Sequence, residues 1–192
     1  MRLACRSVTD ADEVAYETER LVVRAWTDDD VERFEDTYRR WEVMRWLGTD
    51  PKVVTGREDA LARIARFRGR ASADGRFGIW AIEVRDTGVV AGTVLLAPLH
   101  DAAGAPTGDT EVGWHLHPDS WGHGYATESA RGAIAKGLRE GLDEIWAIVV
   151  AENDRSLAVT RRLGMVAQGP TSKYYGMEFE SFVIRGGAAP GG

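Results

Sequence analysis

The feature that most constrains the fold is a strand, a glycine-bearing loop and a helix that follow one another between Glu111 and Leu138. Val, Trp and Leu alternate at 112, 114 and 116, which predicts a strand that ends by Pro118, because proline has no N–H to donate. From Ala126 the apolar residues recur at helical spacing, which predicts a helix with one buried face. That face consists of Ala130, Ala133, Ile134, Gly137 and Leu138.

The loop between this strand and helix is a candidate anion site. Gly122 and Gly124 allow the backbone to approach a ligand closely and to turn its N–H groups inward. The first turn of the helix adds unpaired N–H groups and the positive end of a dipole. Two interpretations are therefore open: the glycines form a site that suits a diphosphate, or they only make a tight turn into the helix.

Two nucleotide-binding motifs were compared with the loop. A P-loop requires Gly-Lys-Ser/Thr, and the chain has Gly124-Tyr125-Ala126 instead. A Rossmann fingerprint requires G-x-G-x-x-G, but Thr127 occupies the third glycine position. Glu152 follows the next strand and suits a ribose-binding acid, so the dinucleotide interpretation stays as an alternative.

The loop resembles the acetyl-CoA motif of the GNAT N-acetyltransferases, which has an apolar residue, a proline two later, and then Gln/Arg-x-x-Gly-x-Gly/Ala. Leu116, Pro118, Gly124 and Ala126 match this motif, and Trp121 stands where Gln or Arg is usual. Residues 121–128 also resemble the form Trp-Gly-x-Gly-Tyr-Ala-Thr-Glu, found in the branch that contains the ribosomal-protein N-acetyltransferases.

A second motif lies at the right distance from the first. Asn153-x-x-Ser156, followed by Leu163-Gly164-Met165, resembles the GNAT pattern Asn-x-x-Ser/Ala…Leu-Gly-Phe. Many members of the family have a tyrosine where Thr160 stands, and use it as the acid that protonates the departing thiolate. The sequence therefore leaves that role unassigned.

Other patterns predict the elements around this centre. Strands are expected at 19–24, 77–84, 89–96 and 144–150, and a last hairpin at about 165–184. Capping boxes at Thr27–Asp30 and Thr55–Glu58 predict two helix starts, and His100–Asp109 is predicted as a surface loop. An aromatic stripe of Val31, Phe34, Tyr38 and Trp41 favours core packing, although the resemblance also suggests Trp41 and Trp46 for the acceptor wall.

The resemblance extends from about Tyr16 to Arg185 and implies one domain at residues 17–185, between a flexible leader at 1–16 and a flexible tail at 186–192. The expected fold is α/β (α+β), a single GNAT-like domain. Its central sheet is mixed and mostly antiparallel, with about six to seven strands splayed between two parallel strands and flanked by about four helices.

The resemblance implies acetyl transfer from acetyl-CoA to an amine, without a metal. Glu111 and His115 are the candidate bases. The alternative for Glu111 is an exposed carboxylate at the end of the strand, and the alternative for His115 is a side chain that only caps the sheet. Ser156 is a candidate partner of the sulfur, and it and Asn153 also suit helix capping. The predicted cofactor-binding residues are Trp114, Leu116, Trp121, Gly122, His123, Gly124, Tyr125, Ala126, Thr127, Asn153 and Ser156.

Composition limits the partners. The 192-residue chain carries a formal net charge of −6, which disfavours sequence-independent binding to nucleic acid and mildly favours a cationic acceptor. No apolar run is long enough to span a membrane, and the N-terminal segment has no secretory pattern. The single cysteine, Cys5, suits a reducing compartment, so a cytoplasmic location is expected. A monomer or homodimer is also expected, with no nucleic-acid or membrane partner.

The function that the resemblance implies is direct transfer of an acetyl group from acetyl-CoA to a primary amine in a ternary complex. A protein N-terminal α-amine is favoured by the branch resemblance, and a small-molecule amine is the alternative. Two other classes of function stay open. One is a non-catalytic acyl-CoA-binding sensor, which the missing tyrosine permits. The other is a nucleotide-dependent oxidoreductase, which the glycine spacing disfavours.

Overall fold

The computed structural model describes residues 14–186, which form eight strands and five α-helices. The strands are β1 (Val14–Glu17), β2 (Leu21–Arg24), β3 (Gly78–Val84), β4 (Val90–His100), β5 (Pro106–Leu116), β6 (Glu144–Val149), β7 (Val166–Thr171) and β8 (Phe179–Arg185). The helices are α1 (Val31–Tyr38), α2 (Trp41–Met44), α3 (Arg57–Arg68), α4 (Tyr125–Arg139) and α5 (Asp154–Leu163).

All strands belong to one mixed sheet, in the order β1-β2-β3-β4-β5-β6-β8-β7. Neighbouring strands run antiparallel except for β5 and β6, which run parallel and meet at only one pair, Glu111 beside Trp146. Beyond that pair the two strands separate toward their carboxyl ends. The predicted mostly antiparallel sheet, splayed between two parallel strands, is confirmed.

The sheet has one strand more than the upper limit of the prediction, because β1 lies at the end of the predicted leader. Val14–Glu17 pairs antiparallel with β2, and the Tyr16 hydroxyl donates to the Ser129 carbonyl oxygen at 2.6 Å. The leader prediction for residues 1–16 is therefore wrong for residues 14–16. Residues 1–13, which contain Cys5, and residues 187–192 lie outside the described part of the chain.

Half of the predicted surface loop at His100–Asp109 is strand, and only residues 101–105 form the turn. β4 continues to His100 and β5 begins at Pro106, so the two strands form a long hairpin. The ladder is irregular between Pro98 and His100, and Gly108 has a φ of 85°. A bulge of this kind accommodates the proline and glycine residues whose abundance favoured a loop in the sequence.

The two faces of the sheet carry different helices. α4 covers one face with Ala130, Ala133, Ile134 and Gly137 buried, as its spacing predicted. A Cβ at Gly137 would lie 2.9 Å from side-chain atoms of Ile145 and Leu142, so only glycine allows this close approach. Leu138 is only partly buried.

The opposite face is covered by α1 and α3, which pack Phe34, Tyr38 and Ile64 against it. The capping box at Thr27–Asp30 is confirmed. The box at Thr55–Glu58 is wrong, because Gly56 occupies the N-cap and Asp59 accepts the Thr55 N–H.

The predicted first helix is two helices, which raises the helix number from about four to five. Arg40 is extended, with φ −83° and ψ 118°, so the helical spacing is interrupted between α1 and α2. Trp41 therefore does not lie on the buried face with Val31, Phe34 and Tyr38, and it is 55% exposed.

Candidate active site

A cavity of about 1080 Å³ opens where β5 and β6 separate. Its walls are residues 111–116 of β5, residues 147–150 at the end of β6, and the N-terminal turns of α4 and α5. The segment 42–49, which includes most of α2, closes one side, and the loop between β7 and β8 contributes Tyr175 and Met177. Alternate backbone N–H and C=O groups of β5 face this gap. They stay unpaired, because beyond Glu111 the strand β6 is too far away to bond them.

The structure brings nearly all predicted site residues to this one cavity. His123 is the exception, and of the two tryptophans suggested for the acceptor wall, Trp46 lines the cavity and Trp41 does not. The predicted residues that line it are Glu111, Trp114, His115, Leu116, Trp121, Gly122, Gly124, Tyr125, Ala126, Thr127, Asn153 and Ser156.

The glycine loop has the conformation that an anion cradle requires. Gly122 and Gly124 have φ values of 81° and 83°, in the left-handed region that favours glycine. Gly124 is the N-cap of α4, and no side chain caps this helix. The N–H groups of the first turn, at residues 125–127, are therefore available to a ligand at the edge of the cavity.

Trp121 anchors this loop to the end of β5. Its Nε1 donates to the Leu116 carbonyl oxygen at 2.9 Å. The guanidinium carbon of Arg155 lies 3.9 Å from the centre of the Trp121 ring, a cation–π distance. Arg155 also lines the cavity and supplies positive charge beside the cradle, a contribution that no sequence motif predicted.

His123 lies on the outer side of the loop. Its ring stacks on Tyr125 with a centroid distance of 5.4 Å, and its Nδ1 lies 3.0 Å from the Trp121 carbonyl oxygen. Arg20 donates to the His123 carbonyl oxygen at 3.1 Å and pairs with Glu128. The predicted cofactor contact of His123 thus has no support in the cavity geometry, because these contacts hold the loop from outside.

The second motif places one capping residue and one free hydroxyl at the cavity. Asn153 caps α5, since its Oδ1 accepts the Ser156 N–H at 3.2 Å. The Ser156 side chain lines the cavity. Thr160 is buried and its hydroxyl donates to the Leu157 carbonyl oxygen at 2.9 Å, so it does not reach the site as an acid.

Glu111 lies at the point where β5 and β6 begin to separate. Its half-buried side chain lines the cavity, and burial raises its pKa from 4.5 to about 7, although Arg70 opposes the shift. A carboxyl group with this pKa exchanges a proton near neutral pH, as a general base must. The alternative of an exposed strand-end carboxylate is excluded by this burial.

Tyr175 stands at the same end of the cavity and was missed by the sequence analysis. It has a φ of 53°, the one positive φ among the non-glycine residues that the structure describes. Burial, with Glu111 as the second cause, raises the pKa of Tyr175 to about 12. The loop is held by Tyr174, whose hydroxyl donates to Asp109 at 2.8 Å, and by the Tyr175 N–H, which donates to the His100 carbonyl oxygen at 3.0 Å.

His115 lies four residues from Glu111 on the same face of β5. Its Nδ1 is 3.0 Å from the Tyr38 hydroxyl, and burial lowers its pKa to about 4. The imidazole is therefore neutral at pH 7. Within residues 14–186 there is no group of three or more His, Cys, Asp or Glu side chains arranged to hold a metal ion. The same part of the chain has no helix with the length and apolar character needed to cross a bilayer.

Comparison with known proteins agrees with this geometry. Residues 20–166 match the model of the acetyltransferase (GNAT) domain family. The chain is 31% identical over 163 residues to YoaA of Bacillus subtilis (strain 168), an uncharacterized N-acetyltransferase, with 82% of this chain and 86% of that protein covered. The chain therefore belongs to the GNAT acetyltransferase family, and the prediction of an acyltransferase is confirmed at this level.

Solved structures show the same fold. Mycobacterium smegmatis RimJ, in complex with CoA-disulfide, superposes with a TM-score of 0.71 at 19% identity, covering 89% of this chain and 84% of that chain. The ribosomal-protein-S5-alanine acetyltransferase of Vibrio fischeri superposes with a TM-score of 0.68 at 16% identity, covering 88% and 95% respectively. The predicted relation to this branch is consistent with these neighbours. The oxidoreductase alternative was based on a Rossmann dinucleotide site, which belongs to a doubly wound parallel sheet, and the observed sheet is mostly antiparallel.

Proposed function

We propose that the protein transfers an acetyl group from acetyl-CoA to a primary amine by direct attack in a ternary complex. The observation that carries the proposal is that one cavity joins a backbone anion cradle at residues 122–127 to a carboxyl group of raised pKa, Glu111, along the free edge of β5. Cradle and carboxyl group lie at opposite ends of that edge, as an elongated cofactor with a reactive end would require.

The cradle suits the diphosphate of CoA. The N–H groups at the start of α4 and the positive φ of Gly122 and Gly124 direct hydrogen-bond donors toward an anion. Arg155 adds a positive charge. The pantetheine arm then extends between β5 and β6, where the unpaired backbone groups of both strands can bond its amides.

The reaction follows from the groups at the other end of the cavity. The incoming amine is mostly protonated at neutral pH, because an α-amine has a pKa of about 8 and an alkyl amine one of about 10. Glu111 accepts this proton, directly or through water. The amine nitrogen attacks the thioester carbon, and backbone N–H groups of β5 stabilise the charge on the carbonyl oxygen. The C–N bond forms, the C–S bond breaks and CoA leaves as a thiolate. The nitrogen gives up its second proton as the amide forms, and the thiolate takes up a proton in turn.

The thiolate needs little help in leaving. The pKa of the thiol is about 8.5, so the thiolate departs readily as an anion and takes a proton afterwards. Ser156 is the proposed hydrogen-bond partner of the sulfur, since its hydroxyl lines the cavity and Thr160 is turned away.

The acceptor wall is formed by Glu42, Trp46 and Leu47 on one side and by Tyr175 on the other. The carboxyl group of Glu42 in this wall, together with that of Glu111 nearby in the cavity, favours a cationic acceptor. A protein N-terminal α-amine is the proposed acceptor class, in line with the ribosomal-protein acetyltransferases among the structural neighbours, and a small amine is the alternative.

The first test is thermal stabilisation by acetyl-CoA and CoA, with NAD and ATP as controls. A ligand well above its Kd raises the melting temperature by mass action. We expect a shift with both CoA species only, and CoA release when a peptide with a free N-terminus is added. No shift with either CoA species would refute the proposal. Binding without turnover across an amine panel would instead favour an acyl-CoA sensor, which the absence of an acid at Thr160 permits.

A further inference from the structure

A short chain of hydrogen bonds reaches His115 from the core. The Tyr38 hydroxyl lies 2.5 Å from the Thr93 hydroxyl and 3.0 Å from His115 Nδ1. Tyr38 is 2% exposed and Thr93 is fully buried, so neither hydroxyl exchanges its partners for solvent. The three groups belong to α1, β4 and β5, and the rings of Tyr38 and His115 meet edge-on with centroids 5.9 Å apart.

Counting protons fixes the tautomer of His115. If Thr93 donates to Tyr38 and Tyr38 donates to Nδ1, every hydroxyl proton in the chain has an acceptor. If Nδ1 carries the proton instead, Tyr38 must donate to Thr93, and the Thr93 proton has no other acceptor among the described residues. A buried donor without a partner costs about 1–3 kcal/mol. The first arrangement is therefore the stable one, and His115 carries its proton on Nε2.

The Nε2 atom of His115 is accessible and has no protein partner. His115 lines the cavity, no protein atom within residues 14–186 is hydrogen-bonded to Nε2, and Nε2 is not one of the fully buried unpaired side-chain atoms of these residues. An imidazole of this tautomer offers a donor to the cavity and no lone pair. His115 is therefore unsuited to act as the base that the sequence suggested, and its lowered pKa agrees with this.

The side of the sheet on which His115 lies indicates what it meets. Residues 112, 114 and 116 point to the face covered by α4, whose first turn forms the cradle, and they pack against that core cluster. His115 points to the opposite face, where Tyr38 of α1 and the segment 42–49 stand. Glu111 shares the strand parity of His115. The donor and the base therefore lie along the acceptor side of β5.

We infer that His115 is a specificity-determining donor, whose Nε2–H binds an oxygen of the acceptor while the amine of that acceptor reacts at Glu111. This inference rests on the proposed function and narrows its acceptor class. An amine that carries a carbonyl or similar oxygen fits, as a peptide N-terminus does, and an oxygen-free polyamine does not.

The strand sets the distance between the two contacts. Four residues of a strand separate His115 from Glu111, which corresponds to about 13 Å between their Cα atoms. An extended peptide spans about 3.3–3.6 Å per residue, so the bound oxygen lies about two to four residues after the reacting N-terminus. Peptides of four residues should use the contact, and a dipeptide should not.

The tautomer is tested without any substrate. Nitrogen NMR of the histidine rings at pH 7, with His115→Gln used to assign the His115 signals, should show a protonated Nε2 and an unprotonated Nδ1. Tyr38→Phe removes the donor to Nδ1 and should shift the His115 signals toward a mixture of tautomers. A protonated Nδ1 in the wild-type protein would overturn the inference, whatever the outcome of the acetylation assays.

The acceptor contact is tested by kinetics with a matched pair of variants. His115→Gln keeps an amide N–H near the position of Nε2, and His115→Leu has no donor. For a tetrapeptide acceptor we expect His115→Leu to raise KM about 5- to 10-fold with little change in kcat, and His115→Gln to stay within about 3-fold of wild type. For a diamine without oxygen, the two variants should have the same KM as each other, because neither the amide nor its absence meets an acceptor oxygen.

Three results would overturn the inference. One is an equal fall in kcat/KM for both variants together with loss of the pH dependence of the rate near neutrality, which would indicate that His115 is a base. The second is a rise in the KM for acetyl-CoA instead of that for the peptide, which indicates a cofactor contact. The third is an equal effect on tetrapeptide and diamine. Failure of the wild-type protein to release CoA with any amine would refute the proposed function, whereas the NMR result on the tautomer would still stand.

Discussion

The two ends of the cavity are built in different ways. The cradle end consists of consecutive residues, 121–127, and acts mainly through backbone N–H groups. The acceptor end gathers side chains from remote segments: Glu42 and Trp46, Glu111, and Tyr175. A backbone site depends on local conformation, whereas a side-chain site depends on how the whole sheet and its helices pack. Substitutions should therefore affect cofactor binding at one end and turnover at the other.

The largest expected effect is at the acceptor end. Glu111→Gln keeps the shape of the side chain and removes its ability to accept a proton, so kcat/KM for the amine should fall by about 10²- to 10⁴-fold. The wild-type rate should rise with pH and level off above about 7, as Glu111 loses its proton, whereas the rate of the variant should follow the fraction of free amine and keep rising above pH 7. Initial rates of CoA release from pH 5 to 9 measure both.

Binding of acetyl-CoA provides the control for this substitution. If the two ends are separate, the stabilisation of Glu111→Gln by acetyl-CoA should equal that of the wild-type protein. A variant that loses cofactor binding together with turnover would contradict the division of the cavity.

The same substitution should stabilise the protein at high pH. Burial raises the pKa of Glu111 from 4.5 to about 7, so the folded state holds this proton more tightly than the unfolded state. Its contribution to stability is full below pH 4.5 and is lost as the pH rises through 7. Relative to wild type, Glu111→Gln should gain on the order of 1–3 kcal/mol between pH 4 and pH 8. Urea unfolding at the two pH values measures the change. If the free energy of unfolding depends on pH equally in the two proteins, burial of the Glu111 carboxyl group does not raise its pKa.

The cradle end should respond to a change that adds only one methyl group. Gly122 and Gly104 both have a φ of 81°, and a Cβ at either would have no neighbour within 4 Å. Alanine at each position should therefore cost a similar 1–2 kcal/mol of stability, through the left-handed backbone alone. Only Gly122→Ala should also weaken acetyl-CoA binding, by about 10-fold, because Gly122 lines the cavity and Gly104 lies in the β4–β5 turn.

The KM for the amine should stay unchanged in both glycine variants. Calorimetric titration with acetyl-CoA and CoA gives the affinities. Equal cofactor affinity for the two variants would show that the loop conformation at Gly122 does not form the cradle.

The same contrast explains what the sequence could predict. The cradle, α4 and α5 were predicted because their determinants are local: glycine spacing, the i, i+3, i+4 apolar face, and the capping residue Asn153. Glu111 was singled out because the family often carries a glutamate at the start of the central strand, but β5 begins five residues earlier, at Pro106, and Glu111 lies instead where β5 meets β6.

The remaining features depend on contacts between distant parts of the chain. Tyr175 reaches the cavity because Tyr174 is held by Asp109, 65 positions earlier in the chain, and no local pattern encodes this contact. The exposure of Trp41 follows from one extended residue, Arg40, inside an otherwise helical pattern. The tautomer of His115 depends on Tyr38 and Thr93, two residues whose sequence context suggests only core packing.

The smallest expected effect concerns the hydrogen bond by which Trp121 attaches the cradle loop to the end of β5. Trp121 stands where the family usually has Gln or Arg, and its Nε1 bonds the Leu116 carbonyl oxygen while Arg155 covers its ring. Trp121→Phe keeps a ring beneath Arg155 and removes the hydrogen bond, so stability should fall by about 0.5–1.5 kcal/mol. Trp146→Phe is the matched control, since its Nε1 donates to Glu144 and it does not line the cavity. Only Trp121→Phe should raise the Kd for acetyl-CoA, by about 2- to 5-fold, because the bond fixes the loop against the end of β5. If the affinity does not change, Trp121 only supports the fold, and the cradle is held by the glycines and the outer contacts of Arg20.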